Sequence, residues 1–263
     1  MSDALFHIDG STFVPTGLAR GPWSPDAQHG GPPAALLTRA MESIESPTPM
    51  QIARATFELL RPVPLVPLRI ETGILKPGKR VQQVGASLYA DDVEVVRATA
   101  LRLRTSDVPI PDDVPVDMGV PELPENESSG SAPFALDDDL EHYHRDAVEI
   151  RTVAGGFDRV GPGTAWFRLR VPVVAGEEPS GAMRAVATAD FGNGLSWILP
   201  GDWLFINPDL TVHLLREPVG EWICLAARTL PSSFGVGMAE SAIYDERGRV
   251  GRGVQSLLID STR

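Results

Sequence analysis

The sequence predicts an α+β fold built twice in tandem, each half a curved antiparallel sheet wrapped round a central helix. Three observations carry this expectation. An apolar helix is followed by several long strands with hairpin turns. The same pattern returns in the second half at one constant shift. A stretch rich in Pro and acidic residues separates the two copies.

The first helix is Gly31-Pro32-Pro33-Ala34-Ala35-Leu36-Leu37-Thr38-Arg39-Ala40-Met41-Glu42. Pro32 and Pro33 suit a first turn, where the missing N–H groups cost nothing. Leu36, Leu37, Ala40 and Met41 recur at helical spacing and form one apolar stripe. Strands are expected over 51–60, 68–75, 81–89 and 93–103. Lys76-Pro77-Gly78-Lys79 marks one turn, and Ala90-Asp91-Asp92 suits a hairpin. From Ser106 to Asp139 the chain has little apolar surface to bury and many prolines, so it reads as a linker. The expected organisation is residues 1–105 as a first, scaffold repeat, 106–139 as linker, and 140–263 as a second repeat that carries the chemistry.

The repeat is visible as Thr56-Phe57-Glu58-Leu59-Leu60-Arg61 laid on Thr211-Val212-His213-Leu214-Leu215-Arg216, a shift of 155. The same shift lays Leu88-Tyr89 on Ile243-Tyr244, Val95 on Val250, Arg97 on Arg252 and Ala34 on Ala189, with no gap. The second helix is then expected over 183–190, with Asp245-Glu246-Arg247-Gly248 as the matching turn. A helix that must bury its apolar stripe against such strands describes a hotdog, and two in tandem can join their sheets edge to edge.

Composition narrows the function. The chain has 263 residues, 43% hydrophobic and 22% charged, as in ordinary globular proteins. A net charge of −12, from 35 acidic against 23 basic residues, repels phosphate backbones and excludes a nucleic-acid partner. No apolar run is long enough for a membrane span, and the first residues lack the pattern of a signal peptide. The single cysteine, Cys224, excludes an intrachain disulfide, reads as a buried structural thiol and fits a cytoplasmic setting.

One stretch, Trp23-Ser24-Pro25-Asp26-Ala27-Gln28-His29-Gly30-Gly31-Pro32-Pro33-Ala34-Ala35-Leu36-Leu37, resembles the helix-start motif of double-hotdog proteins related to acyl-CoA thioesterase II. Phe57-Glu58-Leu59-Leu60-Arg61-Pro62 resembles that family's next strand, and Gly253-Val254-Gln255-Ser256-Leu257-Leu258 its last. The resemblance implies hydrolysis of a fatty acyl-CoA in lipid metabolism, with CoA as part of the substrate, no separate cofactor and no metal. It implies a polar trio in the second repeat: an Asp on the helix, a Thr or Ser on the next strand and a Gln on the last. These fall on Asp190, on Asn207 in place of the hydroxyl, and on Gln255.

The residues stand out without the family. A carboxylate at the end of an Ala/Val helix and an amide in an apolar strand are costly unless hydrogen-bonded. At the shift of 155 their counterparts are apolar: Ala35, Ile52 and Ala100. The expected mechanism has Asp190 activate a water that Gln255 and Asn207 orient. Backbone N–H groups of Gly30 and Gly31 would serve as oxyanion donors across the repeat interface, and His29 would act as a base or contact CoA. Plainer roles stand beside these: a buried network that only holds the helix, glycines that let the backbone turn tightly, and a packing His29.

Alternatives are a non-catalytic acyl-CoA or acyl-carrier binder and an enoyl-CoA hydratase. The hydratase is suggested by Gly201-Asp202, Asn207-Pro208 and His213. His142 and His144, with Asp138 and Glu141, are a weak metal candidate. Ser232 and Ser233 lack the Gly-x-Ser-x-Gly elbow. Exposed sheet edges point to a homo-oligomer.

Overall fold

A computed structural model describes residues 3–111, 113–114, 119–128, 139–201 and 203–261. The first half contains β1 (Phe6–Asp9), β2 (Thr12–Pro15), α1 (Gly31–Glu42), β3 (Met50–Leu59), β4 (Leu68–Lys76), β5 (Val81–Ala90) and β6 (Val93–Arg104). The second contains β7 (Val148–Ala154), β8 (Gly163–Leu169), α2 (Gly181–Ala189), α3 (Gly192–Leu195), β9 (Trp203–Ile206), β10 (Asp209–Leu214), β11 (Trp222–Pro231), β12 (Val236–Asp245) and β13 (Gly248–Ser261).

The strands form one sheet in the order β1-β2-β4-β5-β6-β3-β10-β13-β12-β11-β8-β7, with β9 added beside β13. The order is a palindrome: each half repeats the other outward from the β3–β10 seam. That seam is antiparallel, and Thr56 stands directly opposite Thr211. Their hydroxyls are 3.2 Å apart. The pair that the sequence equates is therefore the pair through which the molecule's two-fold pseudo-axis passes. This is the double hotdog that the repeat implied.

Hairpin chemistry sets the strand ends. β5 turns into β6 through Asp91, whose φ of 51° lies in the left-handed region that Asp tolerates. Strands β5 and β6 reappear as β12 and β13 with starts shifted by 155, as expected. The helices do not keep that shift. From Gly31 a shift of 155 would start the second helix at 186, but α2 begins at Gly181. The second half places extra residues between its helix start and its seam strand, and α3 occupies them. The gapless reading therefore fails at the helix, and Ala35 is not a strict counterpart of Asp190.

Both helices are buried almost all round because each packs on the sheet and on the other helix. Leu36, Leu37 and Met41 of α1 and Ala185 and Val186 of α2 are fully buried in one core that spans both halves. Even Thr38 is buried, its hydroxyl donating to the Ala34 carbonyl at 2.8 Å. Ser180 caps α2 by accepting from the Met183 amide at 3.0 Å.

The four outer strands β1, β2, β7 and β8 were not expected. The described part of the linker is also more anchored than its composition suggests. Leu123 packs on Trp166, Trp222 and Cys224. Ser128 donates its amide to the Ile150 carbonyl at 2.8 Å, and the Trp166 indole donates to the Glu122 carbonyl at 3.1 Å. Cys224 is buried there, and burial pushes its thiol up to about 12, so it is an inert structural thiol. No helix among the described residues is long and apolar enough to cross a membrane.

Candidate functional site

The end of α2 meets the start of α1. Asp190 is the residue that closes α2, with helical φ and ψ of −67° and −16°. At its own helix C-terminus a carboxylate opposes the dipole, but here it also faces the N-terminus of α1, where a negative charge is favoured. Pro32 and Pro33 strip two amides from that first turn, so the Gly30 and Gly31 amides are its remaining free donors.

Four groups converge on the Asp190 carboxylate. His29 Nδ1 lies 2.8 Å from Oδ2. Asn207 Nδ2 donates to Oδ1 at 2.8 Å. Gln255 Nε2 donates to the same oxygen at 3.2 Å and reaches the Asp190 carbonyl at 3.4 Å. The Gly31 amide is the fourth donor. That amide also lies 3.2 Å from His29 Nδ1. One ring nitrogen cannot accept from Gly31 while donating to a carboxylate. The shorter contact, to an anion, decides the matter: Nδ1 carries the proton, and Gly31 serves Asp190.

The six residues singled out from sequence are therefore brought into one cluster: His29, Gly30 and Gly31 from the first half, Asp190, Asn207 and Gln255 from the second. Asn207 sits in the link between β9 and β10 rather than on a strand. Gln255 has both ends satisfied, since its Oε1 accepts from the Asn193 amide at 3.2 Å. Its amide N–H points at Asp190. Gly30 and Gly31 are glycines for a reason other than turn geometry. Gly30 has ordinary helical φ and ψ of −67° and −24°. A Cβ there would stand 2.8 Å from Asp190 Oδ2, and one on Gly31 would stand 2.5 Å from the Ala187 carbonyl oxygen. Only glycine lets the two helix ends approach this closely.

Burial alone would raise the Asp190 pKa. The His29 charge and the hydrogen bonds from His29, Asn207 and the Gly31 amide outweigh it and hold the carboxyl below its usual range. Asp190 is an anion at neutral pH. His29 Nε2 has no hydrogen-bond partner among the described residues, and the side chain is 10% exposed. Aromatic rings fix the imidazole plane: Phe191 is 4.8 Å and Tyr143 5.1 Å from it, centroid to centroid. The Tyr143 hydroxyl donates to the Ala187 carbonyl at 3.1 Å, and burial pushes its pKa up, so it stays protonated. Burial also pushes neighbouring His144 down to about 4, so it stands beside His29 as a neutral ring.

Tyr143, Phe191 and Asn193 were missed in the sequence. Tyr143 lies between His142 and His144 in the sequence. Asp138 of that metal candidate lies outside the described residues, and no group of three or more potential ligands is assembled among the described ones. Asp202 also lies outside them. His213 is exposed on β10.

The acyl-CoA thioesterase N-terminal domain matches residues 19–103, and the acyl-CoA thioesterase C-terminal domain matches residues 111–259. The chain belongs to the acyl-CoA thioesterase family. No curated protein matches it. Solved structures share the fold of this thioesterase-family chain over nearly its whole length. A hot dog fold protein of unknown function from Alicyclobacillus acidocaldarius has a TM-score of 0.70 at 18% identity, covering 99% of this chain and 98% of that one. The TesB protein of Mycobacterium avium subsp. paratuberculosis has 0.70 at 16%, covering 97% and 95%. Acyl-CoA thioesterase II TesB2 of Mycobacterium marinum has 0.64 at 12%, covering 97% and 94%.

Proposed function

We propose that the protein hydrolyses an acyl-CoA thioester to the free acid and CoA by direct attack of water. The observation that carries the reading is the buried Asp190–His29 pair, in which His29 Nε2 has no partner among the described residues. A carboxylate offers about four acceptor positions, and here four donors fill them. Asp190 is also held below the usual carboxylate range, which makes it a poor proton acceptor. Water is therefore better activated at His29 than at Asp190, a shift from the roles expected from sequence.

His29 Nε2 takes a proton from water as the water oxygen attacks the thioester carbon. Asp190 holds Nδ1–H and stabilises the imidazolium. The Gly30 amide, which has no partner among the described residues, donates to the developing oxyanion. Collapse of the intermediate breaks the C–S bond, and Nε2–H returns the proton to the leaving thiolate. Asn207 and Gln255 fix the carboxylate. Asn does so through its amide N–H, so the lost hydroxyl does not leave Asp190 short of a donor.

The test is thiol release from acyl-CoAs of graded length, read with DTNB, for wild type, Asp190→Asn and His29→Ala. Each substitution should lower kcat about a hundredfold or more. Wild type without turnover on any chain length, or two variants at the wild-type rate, overturns the proposal. Crotonyl-CoA, followed by its enoyl absorbance, should show no hydration. A homo-oligomer in the cytoplasm is the proposed setting, checked by sedimentation and cell fractionation.

A further inference from the structure

The seam between the halves carries a charge pattern that works against its own pairing. Ala55, Phe57, Leu210 and Val212 point into the core and are buried. Arg54, Thr56 and Glu58 of β3 and Asp209, Thr211 and His213 of β10 therefore lie on the opposite, outer face. Glu58 and His213 are exposed, and the other four are half-buried. The antiparallel register sets Arg54 opposite His213, Thr56 opposite Thr211 and Glu58 opposite Asp209. One end of this strip is basic and the other acidic, each about 7 Å from the two threonines. Like groups directly opposite each other weaken a strand pair. A faithful repeat would have avoided this. At the shift of 155 Arg54 corresponds to Asp209 and Glu58 to His213, so the second half inverts the pattern of the first. Had it kept Arg and Glu, each end would hold an opposite pair.

Little within the chain offsets the pattern. The Arg54 side chain has no hydrogen bond or ion pair among the described residues, and its Nε is buried without a partner. The side chains of Glu58 and His213 have no hydrogen bond or ion pair there either. The Asp209 carboxylate accepts from the Ser256 amide at 2.7 Å and has no ion pair among the described residues. The neighbouring arginines are engaged elsewhere. Arg97, beside Glu58 on β6, is bridged to Glu94. Arg252, beside His213 on β13, is bridged to Glu240, which also holds Arg228. Between the two ends runs a row of short side chains, Thr99, Thr56, Thr211 and Val254, over which another surface can come close.

We propose that this outer face of the seam packs on the same face of a second copy, so that Arg54 meets the partner's Glu58 and His213 meets the partner's Asp209. The two-fold axis lies in the interface and runs across the strands through Thr56 and Thr211. It carries the basic end of one copy onto the acidic end of the other, with β3 over β3 and β10 over β10. Such a contact is self-complementary, as a closed two-fold dimer requires. An axis along the strands would instead lay Arg54 on the partner's His213 and Glu58 on the partner's Asp209, and the charges exclude it. Stacked sheets lie about 10 Å apart, a gap that Arg and Glu side chains span and the threonines leave clear. The inversion that weakens the seam within one chain is what makes the face fit its own copy. The inference names the face for the homo-oligomer proposed above and uses nothing of the thioesterase reading.

The experiment is sedimentation equilibrium of the full chain at low salt, where charge contacts are strongest. It compares wild type, Arg54→Glu, Glu58→Arg and the variant carrying both. Each single reversal turns the two Arg54–Glu58 contacts of the two-fold interface from attractive to repulsive, so the dissociation constant should rise about thirtyfold or more. The double variant restores opposite charges across the interface and should return to within about threefold of wild type. The variants should fold, because within one chain each reversal sets unlike groups opposite each other across β3 and β10. The melting temperature of the dissociated chain should therefore not fall, which separates a lost contact from a damaged fold. A wild type that stays monomeric overturns both this face and the homo-oligomer. An oligomer that neither single reversal weakens, or that the double variant does not restore, overturns the face and leaves the homo-oligomer standing.

Discussion

Gly30→Ala isolates the helix-end contact from everything else. Alanine accepts the φ and ψ of −67° and −24° without backbone cost, and it removes no side-chain partner. Its Cβ would stand 2.8 Å from Asp190 Oδ2 and 3.1 Å from Cγ, where ordinary contact begins at 3.4 Å. The carboxylate must yield by about 0.6 Å on the side that faces His29, because Asn207 and Gln255 hold the other oxygen. A misplacement near 1 Å can cost a catalytic array about a hundredfold, so kcat should fall roughly thirty- to a hundredfold. The overpacking should cost about 1–3 kcal/mol. At about 2–4 °C per kcal/mol for a domain of this size, the melting temperature drops but the fold survives. The assay pairs DTNB turnover with a thermal melt. A well-folded Gly30→Ala protein within about threefold of wild-type kcat would refute the argument that the Asp190–His29 contact limits the rate.

Other consequences are as direct. Asp190→Asn and His29→Ala act on one unit, so the double variant should be no slower than the slower single variant; a multiplied loss would show that they act independently. Asn207→Thr keeps a donor for Asp190 and should stay within about tenfold of wild-type kcat, whereas Asn207→Val should lose about a hundredfold. Burial raises the folded pKa of Glu42 above its ordinary value, so its contribution to stability is complete below about 4.5 and is lost as pH rises through about 7. Glu42→Gln should therefore raise the melting temperature at pH 8, by up to about 3 kcal/mol of stability, and change it little at pH 4. Asp190 has the opposite sign: its folded pKa lies below 3.8, so its contribution is present above that value and is lost as pH falls through the lower one. Acid titration of Asp190→Asn should lack this loss.

The sequence made the seam and the long strands legible because their side chains and turns are dictated locally. β5 and β6 recur as β12 and β13 with starts in step, and each ends at a turn that Asp or Gly makes affordable. The helix junction was harder. Its offset arises between α2 and β10, where α3 and β9 are short and carry little periodicity. The outer strands β1 and β2 are four residues each, too short for alternation to register. Within the site, Asp190 and Gln255 announced themselves as polar groups in apolar surroundings. The direction of their bonds did not, because it depends on which donor wins Asp190. Tyr143 and Phe191 looked like ordinary core residues, and only packing shows that they fix the plane of His29. The paired glycines were legible, but their reason was not: the clash they avoid is with a residue about 160 positions away, not with their own backbone.

The seam at Thr56 and Thr211 carries a consequence for assembly in time. Strands β3 and β10 meet only after the chain has closed a loop of about 150 residues, a slow event compared with the hairpins on either side. Until then each half presents an unpaired strand whose hydrogen-bonding register fits the complementary half of any copy of the chain. Renaturation at high concentration should therefore trap exchanged dimers, in which the first half of one molecule is completed by the second half of another.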